Sequence, residues 1–261
     1  MRSVTPQVFL VGETRVDEDV LQQYLASVGA PEWQTDAPSE SEELAEVMGR
    51  LCYRSFAPGL NPNVVKVREG SRAYLSNVIG VGHGSVLEHS VLNFIFADVS
   101  RVFTHELVRH RVGTDISQES LRFVRLTDLG QWLPTCIRED EHATAVFART
   151  FEDLERLQLE LASHFRLDDP GVPFERKKEV TSAMRRLAPI GLATAIGWSA
   201  NLRTLRFVLE QRTDPAAEEE MRVVFGQVGL LVRERFPGAF ADYEVVDVKG
   251  LPHFKPNHRK V

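Results

Sequence analysis

Residues 82–100 read GHGSVLEHSVLNFIFADVS, and residues 101–125 continue RVFTHELVRHRVGTDISQESLRFVR. The first stretch holds a glycine-flanked turn followed by a strand. Leu92, Phe94 and Phe96 alternate with Val91, Asn93, Ile95 and Ala97, which is apolar on nearly both faces, as an interior strand requires. Ser100 is placed to cap a helix over 101–110. That helix runs directly into a loop that Gly113 frees to turn.

Upstream, Ser39 and Glu42 have capping-box spacing, and Leu44, Val47, Met48 and Leu51 follow at helical period, so a helix should end near Tyr53. Residues 56–65, FAPGLNPNVV, read as a loop, and a second helix is expected over Ser71–Val81. Residues 1–37 read as a short strand, Val8 to Val11, and a variable segment. Downstream, helices are expected near 142–166, 174–187, 198–212 and 216–236. Asp214 and Pro215 fit the cap and first turn of the last one. The tail from 249 to 261 is polar and should be extended. No repeat or linker interrupts the chain, so the expectation is one α/β (α+β) domain over 1–261 with more helix than strand.

The composition excludes several classes. With 261 residues, 43% hydrophobic and 26% charged, the chain can bury a sizeable core and is not disordered. No apolar run approaches the roughly 18 residues of a membrane helix, and the N-terminal apolar stretch is too short for a secretory signal. Cys52 and Cys136 cannot make a disulfide framework or a four-cysteine zinc site, and both read as inert filler. A cytoplasmic location is expected. The net charge of −6 argues against general nucleic-acid binding. Of the 31 cationic residues 25 are Arg, which suits bidentate recognition of a small anion, although genome composition alone produces the same bias.

The chemistry concentrates in residues 82–125. His83, His89, His105 and His110 lack the spacing of a metal site, and Arg101, Arg109, Arg111, Arg122 and Arg125 would repel a divalent cation. No G-x-S-x-G elbow is present, and Ser120 has no adjacent base. Arg109, Arg111 and Arg122, with Ser117 and Ser120 between them, suit a phosphate or the carbonyls of a pyrimidine. A solvated surface, or pairing with Glu106, Asp115 and Glu119, explains the same pattern. Arg101 and Arg125 read as surface residues.

Arg109-His110-Arg111, followed by Ser117-Gln118-Glu119-Ser120-Leu121-Arg122-Phe123, resembles the signature of the flavin-dependent thymidylate synthases. Three further motifs fall in the same order: Gly82-His83-Gly84-Ser85 through Glu88-His89; Arg185, four before Pro189; and Asn201-Leu202-Arg203 with Arg212. The resemblance covers about residues 45–240. It implies a helix-rich fold around a central, mostly antiparallel sheet, and a homotetramer with active sites shared between subunits. It also implies FAD, NADPH and methylenetetrahydrofolate, used in reductive methylation of C5 of a uracil nucleotide. By position, Ser55, His83, Ser85, Glu88, His110, Arg111, Asn201 and Arg203 would contact FAD. Glu106, Arg109, Gln118, Glu119, Ser120, Leu121, Arg122, Arg185 and Arg212 would line the nucleotide. Of these, Arg109, Arg212 and Ser120 form the expected catalytic set, with Ser120 hydrogen bonding rather than attacking.

This sequence departs from the pattern in places. Eight residues rather than seven separate Arg111 from Ser120. Phe123 replaces a Tyr, Glu106 a Gln, and Phe207 and Ala216 stand where Asn or His is usual. These changes surround the nucleotide and the flavin rim. They raise UMP beside dUMP as substrate, and a UMP methylase of specialised nucleoside metabolism as a second reading. A non-catalytic nucleotide- or RNA-binding protein on the same fold is the alternative of another class.

Overall fold

The computed structural model describes residues 2–64, 66–123, 126 and 128–261; Arg125 lies outside them. In chain order the elements are β1 (Arg2–Ser3), β2 (Gln7–Glu13), α1 (Glu18–Ser27), α2 (Glu40–Tyr53) and α3 (Ser71–Gly80). A 3-10 turn, Gly84–Glu88, leads to β3 (Val91–Ser100), α4 (Arg101–Leu107), β4 (Thr114–Gln118) and β5 (Gly130–Gln131). Then come α5 (Thr135–Arg138), α6 (Glu141–His164), α7 (Phe174–Met184) and a second 3-10 turn, Arg185–Leu187. The chain finishes with β6 (Ala193–Asn201), α8 (Leu202–Thr213), α9 (Glu219–Arg235), β7 (Tyr243–Val248) and β8 (Leu251–Pro256). The largest sheet has the order β2-β3-β6-β4. The fold is α/β.

Local chemistry sets most of these boundaries. The Ser39 hydroxyl accepts from the Glu42 amide at 3.3 Å and opens α2, while Ser100 accepts from Phe103 at 3.1 Å and opens α4. Each cap satisfies an amide that the first turn leaves unpaired. In β3 the side chains of Leu92, Phe94 and Phe96 are buried, and Val91 and Ile95 are exposed.

Three expectations need correction. Residues 198–201 are strand, not helix: Thr194, Ile196, Trp198 and Ala200 are buried alternately along β6, and α8 starts at Leu202. The Glu218 carboxylate, not Asp214, caps α9, accepting from Met221 at 3.1 Å. Asp214 instead accepts from Ala216 in the preceding turn. The tail is extended as expected over β8, which pairs with β7 in an antiparallel hairpin. Its two-residue loop, Lys249–Gly250, has φ values of 58° and 78°, the positive pair that a tight hairpin turn requires. Finally, the segment read as variable contains α1, capped by Asp17 and burying Leu21 and Leu25.

The chain divides into two compact units, each assembled from three separated stretches. The first comprises residues up to Phe9, Ile95–Arg109 and Ile116–Gly197; the second comprises Leu10–Phe94, His110–Asp115 and Trp198–Val261. In the first, β1 pairs in parallel with β5, and Leu126, Leu129, Phe151 and Leu192 cluster together. In the second, Trp198 packs against Phe94 and Phe225, and Gly229 leaves room for the Phe254 ring, which a Cβ would approach to 2.4 Å. Each fully buried aromatic side chain contributes roughly 1.5–3 kcal/mol. In the same unit Arg206, fully buried, makes a two-pronged ion pair with Asp242 at 2.8 and 3.0 Å.

Candidate active site

The residues expected at FAD all belong to the second unit. After α3, the amides of Gly82 and His83 donate to the carbonyls of Ile79 and Val78, and Gly82 takes φ +80° to turn the chain. The 3-10 turn that follows buries Gly84, Val86 and Leu87 and exposes Ser85 and Glu88, and His83 just before it is exposed too. The Tyr53 ring stacks on the His83 ring at 5.6 Å between centroids, and its hydroxyl lies 2.6 Å from Nδ1. Glu88 accepts a 2.5 Å hydrogen bond from Arg203 Nη1, and both side chains remain close to half exposed. Ser55 differs from this set: it is buried, with its carbonyl held by the Arg50 guanidinium at 2.8 Å.

Asn201 caps α8, accepting from the Thr204 amide at 2.8 Å, and its own amide donates to the Gly113 carbonyl. Thr204 in turn donates to the Val112 carbonyl at 2.9 Å. A Cβ on Gly113 would lie 2.4 Å from both side chains, and φ there is +67°, so only glycine fits. The loop lengthened after Arg111 is therefore tied to the start of α8. Within that loop His110 accepts from Arg212 Nε at 2.7 Å and meets Phe207 edge-on at 6.2 Å. Burial, reinforced by the Arg212 charge, pushes the His110 pKa down to about 4. The imidazole is neutral at pH 7. Arg111 is exposed.

The nucleotide set, apart from Arg212, belongs to the first unit. Ser120 closes a turn: its hydroxyl accepts from the Arg122 amide at 3.3 Å and its carbonyl from Phe123 at 3.0 Å. Arg122 is exposed, with its guanidinium 5.8 Å over Phe123, whose ring stacks on Phe174. Leu121 points inward to the cluster around Phe151. Gln118 donates to Thr104, and the Glu119 carboxylate accepts from Thr194 and from the Ala195 amide. These two side chains brace the turn. Glu106 is half buried on α4, its carbonyl accepting from the amide of the exposed Arg109.

Arg101 is the residue that sequence reasoning missed. It is partly buried rather than a surface residue, and it donates to the Glu119 carbonyl at 2.9 Å. Burial, and beyond it the nearby charge of Arg185, hold Arg101 below the ordinary guanidinium value despite the opposing pull of Glu119. Its Nε is buried with no partner among the described residues. The Arg101 guanidinium is thus held against the backbone just before the Ser120 turn. The cysteines carry no such chemistry, but both are exposed rather than buried filler.

A family model described as thymidylate synthase complementing protein matches residues 35–238. The chain belongs to this family, the flavin-dependent thymidylate synthases. Flavin-dependent thymidylate synthases of Corynebacterium aurimucosum and Mycolicibacterium gilvum are 33% and 32% identical to it over 82% of this chain and 85% and 84% of theirs. A crystal structure of thymidylate synthase X from Helicobacter pylori with FAD and dUMP superposes with a TM-score of 0.55 at 20% identity, covering 90% of this chain and 95% of that one. A second structure of the Helicobacter pylori enzyme, also complexed with FAD and dUMP, gives 0.55 at 19% identity. Every residue expected at the site of this flavin-dependent thymidylate synthase family member lies within the matched region; the β7–β8 hairpin and the residues after it lie beyond it.

Proposed function

We propose that the chain methylates C5 of dUMP reductively to give dTMP, with FAD as cofactor, methylenetetrahydrofolate as carbon donor and NADPH as reductant. In balance, dUMP, methylenetetrahydrofolate, NADPH and a proton give dTMP, tetrahydrofolate and NADP. The observation that carries this reading is the Arg101 guanidinium held against the carbonyl just before the Ser120–Phe123 turn, in a chain of the flavin-dependent thymidylate synthase family.

The residues present fit a flavin dinucleotide. His83, Ser85 and Glu88 offer an imidazole, a hydroxyl and a carboxylate on one exposed edge, with the half-exposed Arg203 guanidinium suited to a pyrophosphate. Bound FAD supplies the reducing equivalents, so the chain needs no nucleophile of its own. Ser120 hydrogen bonds to the nucleotide, because arginines are no base for it. Arg122 and Arg185 hold the phosphate. Arg109 and Arg212 meet charge developing on the uracil oxygens, and neutral His110 orients Arg212 through Nε2. A homotetramer with active sites shared between subunits, located in the cytoplasm, completes the reading.

A second reading concerns the sugar. Glu106 puts a carboxylate, an acceptor for a ribose 2′-hydroxyl, at a half-buried position on α4. On that ground UMP is a substrate beside dUMP. The test of the function is incubation of the purified chain with FAD, NADPH, methylenetetrahydrofolate and either nucleotide, followed by mass analysis. A nucleotide heavier by one CH2 is expected. No product from either nucleotide, with flavin bound, would leave a non-catalytic nucleotide-binding protein.

A further inference from the structure

The chain after residue 238 lies outside the family match, yet in the second unit it reaches the residues assigned to flavin. Asp242 anchors it. The Asp242 carbonyl accepts from the Asn257 amide, its carboxylate from the His258 amide, and the same carboxylate grips buried Arg206. Arg259 pairs with Glu210 of α8 at 2.7 Å. Beyond these anchors the Lys260 carbonyl accepts from Arg203 Nη2 at 3.4 Å, the guanidinium whose other nitrogen holds Glu88. Val261 is 6% exposed. A Cβ on Gly84 would come within 3.0 Å of Val261 Cα and 2.9 Å of Arg203 Nε. The turn carrying His83 and Ser85, the Arg203 guanidinium and this last stretch of chain are thus packed edge to edge.

We infer that Asn257–Val261 is a positioning strap for the flavin site, an inference that rests on the assignment of Arg203, His83 and Ser85 to FAD. Arg203 has several rotatable bonds and is close to half exposed, so Glu88 alone would leave its guanidinium free to swing. The Lys260 carbonyl supplies a second acceptor on the opposite nitrogen. Val261 fills the space beneath Gly84 and keeps the exposed edge of the turn in one place. A guanidinium already held where the ligand needs it loses less freedom on binding.

The experiment uses the full chain, with FAD as the probe and flavin fluorescence as the signal. Val261→Asp should weaken FAD binding at least tenfold, while Val261→Leu, which keeps the apolar filling, should stay within threefold of the parent. Far-ultraviolet circular dichroism and the urea midpoint of each apoprotein separate lost positioning from lost folding. Should Val261→Asp fail to fold, linkage gives the second measurement on the unaltered chain: FAD should slow tryptic cleavage after Arg259 and Lys260 at least threefold. Equal FAD affinity in Val261→Asp and the parent, or a cleavage rate indifferent to FAD, overturns the strap. A parent chain that binds no FAD overturns the flavin assignment itself.

Discussion

Arg212 donates its Nε–H to Nε2 of His110 across 2.7 Å, which makes the imidazole an acceptor there and leaves its own proton on Nδ1. Burial and the Arg212 charge oppose a second proton, hence the pKa near 4 against an ordinary 6.5. Between those two values the unfolded chain binds a proton at this site that the folded chain refuses. Stability therefore falls as pH is lowered through about 6.5 to about 4, and this group adds nothing further below that. Urea unfolding at several pH values should show the decline in the parent and a shallower one in His110→Gln. Parallel slopes in the two proteins would contradict the lowered pKa of His110.

Arg206 and Asp242 form a deeply buried ion pair in the second unit. The guanidinium also donates to the Ala239 carbonyl and lies 4.9 Å over the Tyr243 ring. Asp242→Ala would leave a buried cation with no carboxylate partner, at a cost of about 3–5 kcal/mol. Equilibrium urea denaturation measures it, and a loss below 1 kcal/mol would show that water reaches the guanidinium. An Arg206→Met, Asp242→Leu double variant should recover part of the loss.

The legible parts of the sequence were the local ones. The Ser39 and Ser100 caps, the alternation in β3 and the turn at Gly82 each announce themselves within a few residues. β6 was hidden because Ala193, Ala195 and Gly197 occupy its half-buried face, so a period of two looked like a small-residue run before a helix. No boundary between the two units shows along the chain, because each is assembled from three separated stretches. The same reason concealed Arg101, whose partner Glu119 follows β4 and whose neighbouring charge Arg185 follows α7, both brought near only by folding. The Arg-His-Arg loop was readable as chemistry, but its hold on α8 through Gly113, Asn201 and Thr204 was not.

Tyr53 supplies the hydroxyl beside His83 Nδ1 as well as the ring stacked on it. Tyr53→Phe keeps the stack and deletes the hydrogen bond. FAD affinity should fall by about 0.5–1.5 kcal/mol, the net worth of one such bond. Tyr53→Ala should fall further, because the ring is lost too. Fluorescence titration checks both, and equal losses in the two variants would assign the whole effect to the hydroxyl.

Arg101 fixes the carbonyl just before Ser120, and the charge of Arg185 acts on it. Arg101→Ala and Arg185→Ala should each weaken dUMP binding by about 1.5–3 kcal/mol, the range for hydrogen bonds to a charged group. FAD binding should change little in either. Calorimetric titration of dUMP into the FAD-loaded protein decides it. Unaltered dUMP affinity in both variants would mean the phosphate binds elsewhere.

The sugar prediction turns on Glu106 alone. The extra residue after Arg111 gives it no support, because Val112 and Gly113 are tied to α8 and that length of chain is absorbed there. A carboxylate accepts a hydroxyl hydrogen bond roughly twice as strongly as a neutral amide does. The ratio of kcat/KM for dUMP over UMP should therefore lie below roughly a thousand in the parent, about 4 kcal/mol of differential transition-state binding. It should widen in Glu106→Gln, with UMP losing more than dUMP. A parent ratio above a thousand would make the chain a deoxynucleotide methylase only. A ratio unmoved by Glu106→Gln would mean that this carboxylate does not face the ribose.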